Sequence, residues 1–192
     1  MLRNEILVNY SYYVFGCYHF SVNMESSVEV VTFSGNIMTS AQSVQYIEKW
    51  IGYLNDTDRE MSRLAAEKLA GVDNRNAVEA LIEALNNRPD DIRIASARAL
   101  GQIGHSAAVK PLIKLLKDSN PMVATSAAEA LGAIRNTGAV YALSEVLRRY
   151  KTENNRHFQV YGSERGVYMA AVDALKQIDT PQARLALNRY YR

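Results

Sequence analysis

The chain is predicted to be all-α, an α-α superhelix built from four helical pairs and a C-terminal capping helix. Two observations predict it. The stretch from Ile92 to Ile134 returns on itself after 31 residues, with Leu100-Gly101 answered by Leu131-Gly132 in the same context. A fixed period of this length fixes the architecture before any single helix is argued. Within each period the apolar residues also recur at spacings of three and four, the signature of a helix with one buried stripe.

The first helices of the four units align at the 31-residue offset. Ile47, Val78, Val109 and Val140 fall in register, as do Trp50, Leu81, Leu112 and Leu143, and Leu54, Leu85, Leu116 and Leu147. The second helices align as Met61, Ile92, Val123 and Val167, as Leu69, Leu100, Leu131 and Leu175, and as Val72, Ile103, Ile134 and Ile178. The last member of each of these sets arrives 44 residues after its predecessor, because 13 residues are inserted after Leu147. Small residues at Ala65, Ser96, Ala127 and Ala171 let neighbouring helices approach. Such a pair cannot hide its apolar face alone and must stack on the next.

Turns are expected at Asn55 to Asp58, Asn86 to Asp90 and Lys117 to Pro121, where capping side chains and prolines cluster. Gly71, Gly104 and Gly138 are expected to terminate helices at the joins between units. Thr180-Pro181 opens a last helix in which Ala183, Leu187 and Tyr191 keep the first-helix register, half a unit that caps the array. Outward charges are expected to form ladders of alternating sign, Glu79 and Glu83 beside Lys110 and Lys114, and Glu67, Arg98 and Glu129 along the second helices.

Residues 1–37 do not share this rhythm. They run apolar and aromatic from Ile6 to Val22, with four tyrosines, and then Ser- and Val-rich. The basic start of a secretory signal is lacking, and polar interruptions exclude a membrane-spanning helix. The composition changes abruptly at Met38, so translation is expected to start there, with 38–192 the repeat domain. A membrane-adjacent or edge-strand appendage is the competing expectation. An intact mass that retains residues 1–37 in the native protein would remove the first.

Composition bounds the rest. The chain has 192 residues, 48% apolar and 22% charged, enough for one sizeable core, and a formal net charge of +2. Its charge is uneven: residues 135–192 carry ten basic against five acidic side chains. The single cysteine, Cys17, excludes an intramolecular disulfide and a cysteine-based zinc site, and suits a cytoplasmic location.

The residues that repeat also carry a family resemblance. Asp118, Asn120-Pro121, Val123, Ala127-Ala128, Ala130-Leu131-Gly132 and Ile134, with the counterpart Ile92-Arg93 to Ala99-Leu100-Gly101 and Ile103, resemble the HEAT-like repeat of the phycobilisome-lyase type. The resemblance covers residues 43–192. It implies a right-handed solenoid whose second helices line the concave side, which would present Arg93, Arg98, Tyr168, Met169 and Asp173 to a partner. The same repeat occurs in bilin lyase subunits, phycobilisome-degradation factors and deoxyhypusine hydroxylase. Two departures stand out: the arginine of Arg93 is replaced by Ser62, Ala124 and Tyr168 in the other units, and Lys176 stands where the glycine is expected.

No motif for chemistry accompanies the repeats. His19, His105 and His157 are isolated, so the paired His-Glu dipeptides of a di-iron hydroxylase are lacking. There is no phosphate-binding loop or zinc-protease helix motif. The functional bet falls on the insert at 151–164 and its flanks, where Arg148, Arg149, Tyr150, Arg156, His157, Phe158, Tyr161 and Arg165 interrupt the repeat. Insertions in repeat arrays map to loops on one face and often bind, and guanidinium groups suit carboxylates. Tyr168, Arg93 and Arg98 complete the expected partner surface. The expected function is a non-catalytic scaffold or adaptor for a protein partner, with no cofactor, no nucleic acid and no membrane span. The alternative is a bilin lyase or lyase subunit, whose partner is a phycobiliprotein or a second lyase-like subunit and which handles a bilin chromophore.

Overall fold

A computed structural model describes residues 18–20, 30–33, 36–72, 74–87, 89–153 and 163–191. Its helices are α1 (Ser40–Tyr53), α2 (Arg59–Leu69), α3 (Arg75–Ala84), α4 (Asp90–Ile103), α5 (Val109–Leu115), α6 (Pro121–Ile134), α7 (Val140–Glu153), α8 (Ser163–Ile178) and α9 (Pro181–Tyr190). They form the four pairs and the terminal half-unit, an all-α superhelix. Ahead of them lies a small antiparallel sheet of β1 (Tyr18–Phe20), β2 (Val30–Phe33) and β3 (Asn36–Thr39), ordered β1-β2-β3. Met38 pairs with Val31 inside this sheet, and β3 runs directly into α1. The expected boundary at 37/38 therefore falls within a strand, while 1–17, 21–29 and 34–35 lie outside the described residues.

Helix starts follow the capping chemistry of the turns. Asp58 accepts from the backbone N–H groups of Glu60 and Met61, Asn74 from Asn76 and Ala77, Asn120 from Met122, and Thr180 from Ala183. Pro121 and Pro181 occupy the first helical turn, where a missing N–H costs nothing. Helix α4 follows Pro89 with no side-chain cap, and Asp90 and Asp91 in its first turn face the positive end of the helix dipole instead.

Of the three glycines expected to end helices, one does so in left-handed backbone; α2 ends at Ala70 in right-handed backbone, with Gly71 just beyond it. Gly104 ends α4 with φ 76°, the left-handed conformation that glycine adopts without penalty. Gly138, however, lies within a 3-10 turn, Thr137–Ala139, and does not end α6. That role falls to Arg135, whose φ of 54° lets its N–H reach the carbonyls of Leu131 and Gly132. Asp179, with φ 49°, does the same after α8.

The core is a continuous seam between two helical layers. Leu69, Leu100, Leu131 and Leu175 are each fully buried, and the first-helix set Leu54, Leu85, Leu116 and Leu147 is buried as well. Each first helix packs on its own second helix, and α2, α4, α6 and α8 pack in a row; α9 covers α7 and α8. Trp50, expected in the buried stripe, is only half-buried beside Tyr46 and Tyr53; among the described residues no helix precedes α1 to cover it. The cross-unit ladders of alternating charge do not close among the described residues. Glu79 pairs instead with Arg75 within α3, and Glu67 with Arg63 within α2.

The Leu-Gly dipeptide has a packing reason. A methyl group on Gly101 would stand 2.8 Å from the Cα of Ala130, and one on Gly132 would stand 2.8 Å from the Cα of Ala174. Both glycines let one second helix touch the backbone of the next. Lys176 occupies the same position on α8, where no further second helix arrives. It is exposed, donates to Asp173 at 3.0 Å and sits 5.2 Å from the Tyr191 ring centroid.

Ser96 takes the small-residue position shared with Ala65, Ala127 and Ala171, and its buried hydroxyl has no hydrogen-bond partner. An unpaired buried hydroxyl costs about 1 kcal/mol or more. Ser96→Ala is therefore expected to stabilise the chain by about 1 kcal/mol, read in denaturant melts. A loss of stability would show that the hydroxyl is satisfied.

Candidate functional site

The turns between first and second helices carry a polar ladder along one edge of the array. Asn87 donates to Asn55 at 3.3 Å, Arg59 to Asp91 at 3.0 Å, and Asn120 to Asp90 at 2.6 Å. Arg93 is its centre. Its Nε and Nη2 donate to the two Asp118 oxygens at 3.1 and 3.0 Å, Nη2 also to Asp90 at 2.7 Å, and Nη1 to the Asn87 carbonyl at 2.9 Å. Only 12% of its side chain is exposed, and 14% of Asp118. Arg93 is thus a clamp between the second and third units and not a partner-facing side chain. The hydrogen bond from Asn120 does most to hold the Asp90 carboxyl below its ordinary value, and Arg93 adds to the effect.

Tyr168 is corrected in the same way. It is 2% exposed, its hydroxyl donates to the Tyr190 carbonyl at 3.1 Å, and burial raises its pKa. Tyr150 packs edge-on against it, ring centroids 6.4 Å apart, and belongs to the core margin. Met169 is half-buried and Asp173 is paired with Lys176. Arg98 is exposed and lines a shallow cleft of about 410 Å³ between α2 and α4, with Arg63, Glu67 and Asp91. Arg165 is exposed near the start of α8. Arg156, His157, Phe158 and Tyr161 lie outside the described residues.

Arg148 and Arg149 are brought together with residues that sequence reasoning missed. They line a groove of about 560 Å³ between α5 and α7, with Lys117, Tyr141 and Glu145 on its walls and apolar side chains on its floor. Tyr141 is 78% exposed. Arg148 holds Glu145 through bonds of 2.7 and 2.9 Å, and the Arg149 guanidinium lies 6.0 Å from the Tyr150 ring centroid. The Glu145 carboxyl is held below its ordinary value, first by the hydrogen bond from Arg148 and also by the charges of Arg149 and Lys117.

The missed residues had a readable signal. Tyr141 occupies the position of Glu48, Glu79 and Lys110 in the earlier units, and Lys117 and Arg148 share one position in adjacent units. Among the described residues no group of three His, Cys, Asp or Glu side chains is placed to hold a metal ion, and no helix is long and apolar enough to cross a membrane.

Comparison with known proteins follows from this architecture. The profile of HEAT repeats matches residues 47–105 and 78–157. The chain belongs to the HEAT-repeat family. This HEAT-repeat protein is similar to the complex of CpcE and CpcF of phycocyanin lyase from Nostoc sp. PCC7120, at 25% identity and a TM-score of 0.58 over 76% of the chain and 63% of that one. It thus spans less than two thirds of the lyase chain it matches. It also shares its fold with human deoxyhypusine hydroxylase in complex with glycerol (19% identity, TM-score 0.52, 78% and 68% covered). An engineered protein is similar in fold as well (22%, TM-score 0.51, 78% and 70%). No curated protein sequence matches it. What these comparisons show of this chain is its architecture, a helical solenoid of HEAT repeats.

Proposed function

We propose that the HEAT-repeat protein is a non-catalytic scaffold or adaptor of the cytoplasm that binds a protein partner. The supporting observation is the groove between α5 and α7, where an exposed tyrosine, an apolar floor and three cations share one opening. Aromatic and arginine side chains together are the composition of interface hot spots. Affinity purification of the tagged full chain, beside an unrelated helical solenoid, tests it. A stoichiometric partner retained only by this chain is expected; recovery no different from the control would count against the scaffold.

The second reading is a subunit of a bilin lyase, supported by the similarity to the CpcE and CpcF complex. A bilin is then its substrate, and a phycobiliprotein or second lyase-like subunit its partner. Co-expression with a phycobiliprotein subunit and a bilin source separates the two. Covalent bilin attachment that requires this chain would replace the non-catalytic reading.

A further inference from the structure

We propose that the first helical pair, α1 and α2, opens from the rest of the array as one unit at the joint between α2 and α4, while α4, α6 and α8 stay packed. This conformational device stands apart from the scaffold reading and needs no partner.

The first joint differs from its two successors in packing and in polar linkage. At the later joints Gly101 meets the Ala130 backbone and Gly132 the Ala174 backbone, each so closely that an added methyl would stand 2.8 Å from a Cα. The counterparts at the first joint are Ala70 and Ala99. Ala70 already carries the methyl, and both residues line the cleft of about 410 Å³ that separates α2 from α4. Helix α2 accordingly meets α4 less extensively than α4 meets α6 or α6 meets α8. The polar links follow the same order. Across the first joint, among the described residues, Arg59 holds Asp91 with 63% and 39% of the two side chains exposed, and Asn87 holds Asn55. Across the second, Arg93 holds both Asp118 oxygens with 12% and 14% exposed, and Asn120 holds Asp90. A two-pronged, charge-assisted pair is more exacting than a single solvated contact. Each unit of a repeat array is held mainly by its neighbours, so the array parts first at its weakest joint. Helix α1 packs on α2, and the two therefore leave α4 together. Opening bares Ala95 and Ala99 on the flank of α4, both buried in the closed array.

The test is amide hydrogen exchange of the full chain, read peptide by peptide by mass spectrometry. The helical amides of α1 and α2 are expected to share one level of protection, about tenfold or more below that of α4, α6 and α8. Leu69→Ala, in the buried seam of α2, is expected to lower the protection of α1 and α2 about tenfold or more again and to leave α6 and α8 unchanged. Ala70→Leu extends an apolar side chain into the cleft and is expected to raise the protection of α1 and α2 about threefold or more. Equal protection in α2 and α6, separate levels for α1 and α2, a Leu69→Ala loss shared by α6 and α8, or an Ala70→Leu chain no better protected in its first pair would each overturn the proposal.

Discussion

Arg93→Ala is expected to cost the fold about 3 kcal/mol, because it strands a carboxylate that the fold has taken out of water. Among the described residues Arg93 donates four hydrogen bonds to three residues of two different turns, and Asp118 is 14% exposed beneath it. Removing one partner of a desolvated pair leaves the other charge uncompensated, which costs more than the pair itself contributes. Arg93→Lys keeps the charge but lacks the planar fork that reaches both Asp118 oxygens, so an intermediate loss is expected. Denaturant melts measure both. Equal stability of Arg93→Ala and wild type would show that the clamp is ornamental.

Acid should weaken the same junction. The Asp90 carboxyl titrates below its ordinary value in the folded chain, mainly through the Asn120 hydrogen bond. Its contribution is therefore complete above the ordinary value near 3.8 and is lost as pH falls through the lower folded value. Asn120→Ala is expected to flatten that acid limb.

Gly132→Val is expected to cost a similar amount, about 3 kcal/mol, by forcing α6 and α8 apart. The first added carbon alone meets the Ala174 Cα at 2.8 Å and the Ala174 Cβ at 3.0 Å, and backbone cannot swing aside. Better helix propensity than glycine returns only a few tenths of a kcal/mol. The loss corresponds to a fall in Tm of roughly 6–12 °C for a chain of this size. Gly52→Ala provides the opposite sign. Gly52 lies in the last turn of α1 with nothing within 4 Å of the added methyl, so about 0.5–1 kcal/mol of stabilisation is expected. If both substitutions moved stability in one direction, close approach would not be the reason for Gly132.

The repeating parts of the fold were legible because they are local and redundant. Leu69, Leu100, Leu131 and Leu175 each announce the same burial, so a single period located four helical pairs. Arg93 was misread for the opposite reason: its partner Asp118 is 25 residues away, in the next unit's turn, and a charged side chain on a helix face gives no sign of that reach. Tyr168 was misread because its place on a second helix was taken to face the concave side, whereas it is buried and the Tyr190 carbonyl accepts its hydroxyl. Arg148 and Arg149 stood out by charge density. Tyr141 and Lys117 did not, because each is unremarkable alone and signals only against its counterparts in other units. Gly138 and Arg135 exchanged roles because left-handed backbone favours glycine without requiring it, and the 3-10 turn at Thr137–Ala139 needs a start one residue after the arginine.

Lys176 breaks the small-residue seam along the second helices. Of the three joins between neighbouring second helices, α4–α6 and α6–α8 are made close by Gly101 and Gly132, while α2 carries Ala70 at the equivalent position. A lysine at the equivalent position of α8 leaves no room for another helix to approach as closely in the same register. Adding a helical pair after α8 by design therefore begins with replacing Lys176 by a small residue, glycine as in α4 and α6 or alanine as in α2.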